Sequence, residues 1–271
     1  MSQKCHSILR DQSGRLLAHA ASVSHDFPGS HTIPEHDHPE DQLLYACCGV
    51  MTLRTPHGLW VVPPLRAVWI PAGTPHSVSF PAPVSMRTLY FAPGLVKKLP
   101  SRCFVMNVSP LLTQLILHAC NFKRLHRTNP KERRILAMIA DQLQDAGTLP
   151  LQLPNPSDPR ALRIVEALLA DPGDERTLQQ LCKACGGSKR TIQRLFLTET
   201  KMSFAKWRQQ FRILHGMRLV ASGEKVTAAA LASGYNSPSA FISMFRKQLG
   251  TTPNRYFSAL PEPSSRPVAG S

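Results

Sequence analysis

The sequence predicts a multi-domain α+β protein with an N-terminal β-barrel, a central helical pair and a C-terminal all-α domain. Three observations carry this. The first 96 residues break short apolar runs with Gly and Pro, apolar residues then recur at helical spacing from Ser109, and the last hundred residues repeat one helix–turn–helix pattern. Charge divides the 271 residues in the same way. Residues 1–96 hold six basic and six acidic side chains, 97–159 nine and four, and 160–271 seventeen and seven. The net charge of +15 thus lies behind a neutral N-terminal part. Such an asymmetry suits a polyanion partner, either nucleic acid or an anionic membrane.

Within residues 1–96, Leu43–Cys47, Val50–Leu53, Leu59–Val62 and Ala67–Ile70 are brief apolar runs. Gly49, Gly58, Pro63-Pro64 and Pro71-Ala72-Gly73 separate them. Short strands punctuated so closely indicate an all-β barrel or sandwich. In 97–148, Leu111, Leu112, Leu115 and Ile116, then Ile135, Met138, Ile139 and Leu143, recur at helical spacing. The basic stretch 123–134 between them is read as the turn. Residues 149–158 alternate proline with apolar residues, an extended connector between domains.

Local signals agree throughout 159–257. Asp158-Pro159 is an N-cap followed by proline at the first helical position. Leu162, Val165, Leu168 and Leu169 form the helix's apolar face, and Asp171-Pro172-Gly173 ends it. Thr177-Leu178-Gln179-Gln180 has capping-box spacing, and Leu178, Leu181, Cys182 and Cys185 follow on one face. After Gly186-Gly187, Ser188 caps a helix that turns Ile192, Leu195 and Phe196 inward and Lys189, Arg190, Gln193 and Arg194 outward. Arg pairs with guanine and Gln with adenine, so this face suits base reading.

The pattern returns from Thr227 through Gly234-Tyr235, with Ser237-Pro238 opening a second helix. Phe241, Met244, Phe245 and Leu249 face its core, whereas Ser239, Ile242, Ser243 and Arg246 lie opposite. A helix over 204–220, carrying Lys206, Arg208, Arg212 and Arg218, joins the two units. Its length of roughly 25 Å suits two recognition helices set about one DNA turn apart. The C-terminal tail, 258–271, is rich in Pro and Ser and is expected to be disordered.

Gly234-Tyr235-Asn236-Ser237-Pro238-Ser239-Ala240-Phe241, Phe245-Arg246 and Gly250-Thr251-Thr252-Pro253 together resemble the signature of the AraC/XylS family of bacterial regulators. Residues 188–196 and Trp207-Arg208-Gln209-Gln210-Phe211-Arg212 resemble its first unit and linker helix. The resemblance implies two helix-turn-helix motifs in adjacent major-groove segments of double-stranded DNA. By matching position it assigns DNA contacts to Arg190, Gln193 and Arg194, and to Ser239, Ala240, Ile242 and Ser243. The second set is small and almost uncharged, so shape and phosphates are its expected targets. Lys201, where a glycine is usual, and Gly216 inside the linker helix depart from the pattern. A mid-helix glycine weakens a helix by up to ~1 kcal/mol against alanine, so Gly216 is expected to loosen the coupling of the two units.

Gly29, His36-x-His38, Gln42 and Gly49, followed by Pro71-x-Gly73-x-x-His76, resemble the two motifs of the cupin barrel. Metal-binding cupins place an acid where this chain has Gln42, although Glu40 and Asp41 are adjacent. His36, His38, Gln42 and His76 are therefore read as structural or ligand-contacting. No resident cofactor is expected, and a divalent metal at the three histidines is the alternative left open. His31 and His57 have no spacing partner and are read as surface or turn residues.

Regulators resembling this chain pair such a barrel with the DNA-binding part to sense a small-molecule effector. The amphipathic pair at 109–143, with no evident partner in the chain, is expected to form a homodimer. No apolar run reaches the ~18 residues of a membrane span, and the N-terminus lacks a secretory leader, so a cytoplasmic protein with no membrane partner is expected. Seven cysteines, an odd number, argue against a disulfide framework in that compartment. Cys182-x-x-Cys185 lacks a second ligand pair and reads as core packing. The resulting expectation is a sequence-specific transcription factor and not an enzyme. The alternatives are a metal-dependent cupin enzyme with an accessory DNA-binding domain and a DNA-coating protein without sequence preference.

Overall fold

The computed structural model of the chain describes residues 3–4 and 7–258, so the tail expected to be disordered lies outside the described residues from position 259 onward. Two compact units are present. One contains residues up to Arg54 together with Trp60–Pro150, the other Thr55–Leu59 together with Leu151–Ser258.

The first unit opens with β1 (Gln3–Lys4), β2 (Ala20–Phe27), β3 (His31–Asp37) and β4 (Asp41–Cys48). It continues through β5 (Met51–Thr55), β6 (Gly58–Val62), β7 (Arg66–Ile70), β8 (His76–Phe80), β9 (Val84–Phe91) and β10 (Phe104–Asn107). α1 (Pro110–Ala119), β11 (Arg124–Leu125), α2 (Pro130–Asp145) and β12 (Thr148–Leu149) complete it. The four apolar runs read from the sequence correspond to β4 to β7. The strands form two sheets and not the closed barrel expected. One runs β1-β3-β8-β5-β6, the other β11-β2-β9-β4-β7-β10-β12. Closure needs hydrogen-bonded edges all round, and the second sheet ends on two-residue strands too short to carry the ladder further. One of these, β11, lies inside the stretch read as the turn between the helices, where Arg124 and Leu125 pair with Ala21 and Ala20.

Strand alternation divides β4 between two environments. Leu43 and Tyr45 join Trp69 and Leu89 in a core that includes Leu112, Ile116 and Ala119 of α1 and Leu136, Ile139 and Leu143 of α2. The helical stripes therefore have a partner inside the chain, against the expectation that they lacked one. Burying each of these leucines and isoleucines contributes ~1.5–3 kcal/mol, enough to fix both helices on the sheet. The Ser109 hydroxyl accepts from Leu112 N at the start of α1 and donates to Gln142 of α2 at 2.7 Å. Leu111 and Met138 are left outside this core, 48% and 45% exposed.

The second unit contains β13 (Gln152–Pro154), α3 (Pro159–Ala170), α4 (Leu178–Cys185), α5 (Lys189–Thr200) and α6 (Phe204–Ala221). α7 (Val226–Ala232), α8 (Pro238–Leu249) and α9 (Pro253–Ser258) follow. The stretch read as a connector is not solvated, because Leu151 and Leu153 are buried. Asp158, Thr177, Ser188 and Ser237 each cap their helix through the side chain, and Thr177 with Gln180 forms the full capping box. In α3 the buried stripe is Ala161, Ile164, Val165 and Leu168, so Leu162 and Leu169 lie at its margin. Cys182 is buried and Cys185 half-buried, both as free thiols.

Trp207 anchors the first half of this unit. It is fully buried beside Phe196 and Phe211, and its Nε1–H donates to Pro154 O at 2.8 Å. Phe241, Phe245 and Tyr256 fill the second half. α7 starts one residue ahead of Thr227, behind Lys225, which makes no side-chain cap bond. It buries Ala229 and Ala230 and leaves Leu231 59% exposed.

Candidate nucleic-acid interface and a histidine cluster

α5 leaves Lys189, Arg190, Gln193 and Arg194 exposed while Ile192, Leu195 and Phe196 are buried beneath them. α8 leaves Ser239, Ala240, Ser243 and Arg246 exposed, and Ile242 is half-buried. A cleft of about 920 Å³ is lined by Lys189 and Gln193 of α5, Lys206 and Gln209 of α6, and Ala240 and Met244 of α8, with no acidic residue in its wall. Of the expected contact residues, Lys189, Gln193 and Ala240 line this cleft, whereas Arg190, Arg194, Ser239, Ile242, Ser243 and Arg246 are not part of its wall. The structure also adds Gln209, which the sequence did not single out because the feature marking it, the floor of the cleft, exists only once three helices have packed.

Two arginines of the linker helix, Arg208 and Arg212, also line this cleft and bond to the loop before α4. Arg208 donates from Nη1 to Arg176 O and from Nη2 to Asp174 O, and Arg212 donates to Asp174 O at 3.4 Å. The Asp174 carboxylate is buried. Arg176, 2.5 Å away, holds it below the usual aspartate range, with Arg208 contributing at longer range. These guanidinium groups fasten α6 to the loop before α4 while lying in the wall of the cleft. Arg212 also lies against Gly234 (φ +74°), where a Cβ would sit 2.8 Å from its Nε. Lys201, in place of the usual glycine, adopts the left-handed conformation that explains the glycine preference (φ 60°), and its ammonium donates to Thr198 O at 2.8 Å.

In the first unit, a bulge between Ile33 and His36 brings His36 opposite His76 across the β3–β8 pair. His38, just past the end of β3, completes a group with one ligand nitrogen from each ring within 4.8 Å of the others. Every ring is oriented through Nδ1: His36 to Pro34 O at 2.8 Å, His38 to Glu40 O at 2.9 Å and His76 to Thr74 O at 2.8 Å. A carbonyl only accepts, so each Nδ1 carries a proton. His76 is completely buried, its Nε2 has no hydrogen-bond partner, and burial pushes its pKa down to about 4, so it is neutral at pH 7.

Gln42 belongs to this group. Strand alternation turns it away from the helices, towards Thr88 and Tyr90 of β9, to which its Nε2 donates at 3.1 and 3.2 Å. Its Oε1 lies 3.2 Å from His38 Nε2. The adjacent acids divide. Asp41 turns aside to accept from Ala72 N at 3.0 Å, whereas Glu40 is buried with its Oε2 3.9 Å from His38 Nδ1. His31 stacks on Phe27 at the surface and His57 occupies the turn after β5.

Comparison with known proteins accounts for both units. The family model of an AraC-like ligand binding domain matches residues 23–199, and that of a helix-turn-helix domain matches 175–259. The chain is 36% identical over 229 residues to the HTH-type transcriptional regulator NimR of Escherichia coli, covering 84% of each protein. It is 30% identical over 103 residues to the HTH-type transcriptional regulator RipA of Corynebacterium glutamicum, covering 38% of this chain and 31% of that one. Among solved structures, fatty-acid-bound ToxT of Vibrio cholerae is similar at 12% identity and a TM-score of 0.39, over 91% of this chain and 98% of ToxT. The two family models and the match to NimR favour a regulator over an enzyme with an accessory DNA-binding part, and among the described residues no helix is long and apolar enough to cross a membrane. This chain belongs to the AraC family of transcription regulators, with a ligand-binding domain followed by a helix-turn-helix DNA-binding domain.

Proposed function

We propose that this regulator reads its operator mainly through α5 and responds to a small molecule held by the first unit. The observation that carries this is the exposed, acid-free face of α5 with Arg190, Gln193 and Arg194, beside a cleft shared with α8, whose own exposed face holds small side chains. Arg and Gln discriminate bases by bidentate hydrogen bonds, whereas Ser239, Ala240 and Ser243 suit close approach to the backbone. It acts by binding and not by turnover, in the cytoplasm, where its DNA is reached.

The exposed Leu111 and Met138 on α1 and α2 support a homodimer through those helices. A two-subunit regulator would place four helix-turn-helix motifs on its operator.

A nuclease protection assay on the DNA flanking the protein's own gene tests the reading. A discrete footprint is expected, lost in Arg194→Ala with the fold intact. Uniform coverage of the fragment, unaffected by that substitution, overturns it.

A further inference from the structure

A second cavity, of about 1060 Å³, lies within the first unit between β2, β9 and the end of α1. It is on the side of the sheet away from the histidines. Strand alternation puts Arg87 of β9 on the face of Leu89 and Phe91, which pack with α1 and α2. Thr88, on the opposite face, joins Gln42 and through it His38.

The charge in this cavity has one sign. Arg87, Lys123 and Arg124 line it beside apolar Val23 and Leu117, with no acidic residue in the wall. Strand β2 runs between β9 and β11, so Arg87 approaches from one side and Lys123 and Arg124 from the other. The far side is held in place by Ser22, whose hydroxyl donates to Phe122 O at 2.6 Å and whose amide donates to Lys123 O at 3.4 Å.

Arg87 also has donors to spare. Its side chain is 13% exposed, and both of its hydrogen bonds leave from Nη1, to Asp26 Oδ1 and to Met86 O at 2.8 Å each. Nε and Nη2 have no acceptor among the described residues. Together they form the edge of the guanidinium that grips an oxyanion bidentately. Asp26 offsets one of the three positive charges, and half of its side chain is exposed to screening water.

We propose that this cavity binds a small organic anion, a compact apolar body with one oxyanion head group, which Arg87 grips through Nε and Nη2 while Lys123 and Arg124 hold the rim. The proposal rests on the reading that the first unit holds a small molecule, and it places that molecule outside the pocket of His38 and Gln42. Because Leu117 of α1 and the turn behind it are part of the wall, a bound anion fastens that helix end to β9.

Fluorescence titration of the full-length protein with anilinonaphthalene sulfonate, without DNA present, tests this. Its aromatic body and sulfonate stand in for the two halves of the ligand. Saturable binding of one dye per chain is expected. Arg87→Met should weaken it at least roughly 10-fold, the loss of a charge-assisted contact. Lys123→Glu should weaken it about 3-fold, as for an exposed charge. Asp26→Asn, which removes the competing carboxylate, should tighten it about 3-fold, a gain that a merely structural Arg87 does not give. Lys206→Met, in the cleft of the second unit, should leave it unchanged. N-phenylnaphthylamine, the same body without the sulfonate, should bind wild type and Arg87→Met alike. Circular dichroism shows which variants are folded, and exposed Lys123→Glu is the informative one if Arg87→Met unfolds. Absence of saturable binding overturns the proposal, as does binding that folded Arg87→Met or Lys123→Glu leaves intact. Binding lost instead in Gln42→Ala also overturns it, yet leaves standing the reading that the first unit holds a small molecule. No DNA takes part, so the footprint test is independent of every outcome.

Discussion

Gly216 on α6 and Phe241 on α8 meet so closely that a Cβ on residue 216 would lie 2.4 Å from Phe241 Cε2 and 3.0 Å from Cζ. Phe241 is fully buried, with Tyr235 and Phe245 against its ring. The glycine that sequence reasoning took as a weak point in the linker is thus the place where the second helix-turn-helix unit is pressed against the helix joining it to the first.

Gly216→Ala sets two effects against each other. Alanine stabilises a helix interior by up to ~1 kcal/mol, while forcing an extra methyl into a filled core destabilises by ~1–3 kcal/mol. Overpacking wins, and urea denaturation should show a loss of about 1–2 kcal/mol. A gain in stability would show that Phe241 moves freely.

The two reading faces should differ in what their loss does. Arg190→Ala with Arg194→Ala should flatten base preference, at ~1–3 kcal/mol for each lost bidentate contact. Ser239→Ala with Ser243→Ala should weaken all sites alike. Binding to a library of operator variants separates these outcomes, and equal loss of preference in both pairs contradicts the division of labour.

Arg208 is expected to matter for stability and not for salt-dependent DNA affinity. It satisfies two carbonyls beside buried Asp174, and hydrogen bonds from a charged donor contribute ~1.5–3 kcal/mol each. Arg208→Met should lower the unfolding midpoint markedly. The slope of log affinity against log salt should stay within one ion of wild type, because the Arg208 guanidinium is committed to those two carbonyls.

The second unit should weaken in mild acid. Burial, with a smaller push from Arg218, lowers the pKa of His215 to about 4. In the unfolded chain a histidine titrates near 6.5. A base whose folded pKa is depressed stabilises the fold above its unfolded value, and that contribution disappears as pH falls from about 6.5 to about 4. Denaturation midpoints measured from pH 7.5 to 4.5 should fall for wild type and fall less for His215→Leu. Asp174, held low by Arg176, adds its own loss only further down, as pH drops below the ordinary aspartate value of about 3.9.

If α1 and α2 pair two subunits, Leu111→Lys with Met138→Lys should convert a dimer to a monomer in sedimentation at micromolar concentration without unfolding it. A wild-type monomer at that concentration removes the dimer reading altogether.

Much of this protein is decided by signals a few residues apart. Asp158, Thr177, Ser188 and Ser237 cap helices because a short polar side chain can reach an amide two or three positions ahead. The exposed face of α5 follows equally directly from helical periodicity. Those signals placed the helix-turn-helix region and its candidate contacts from the sequence alone. Long-range packing decided the remainder. Apolar stripes at 109–143 show that helices bury one side, but not that the far side is the chain's own sheet. A glycine in α6 has a propensity but no neighbour until α8 folds back upon it. Arg208 and Arg212 are charges on a linker helix with no partner until Asp174 and Gly234, more than twenty residues away on either side, are brought against them. In the first unit the His-x-His spacing marks candidates, while the bulge in β3 and the alternation of β4 determine which side chains converge. Local patterns fix dihedral angles and faces; what each face meets depends on contacts between segments far apart in the chain, and only the folded structure supplies those.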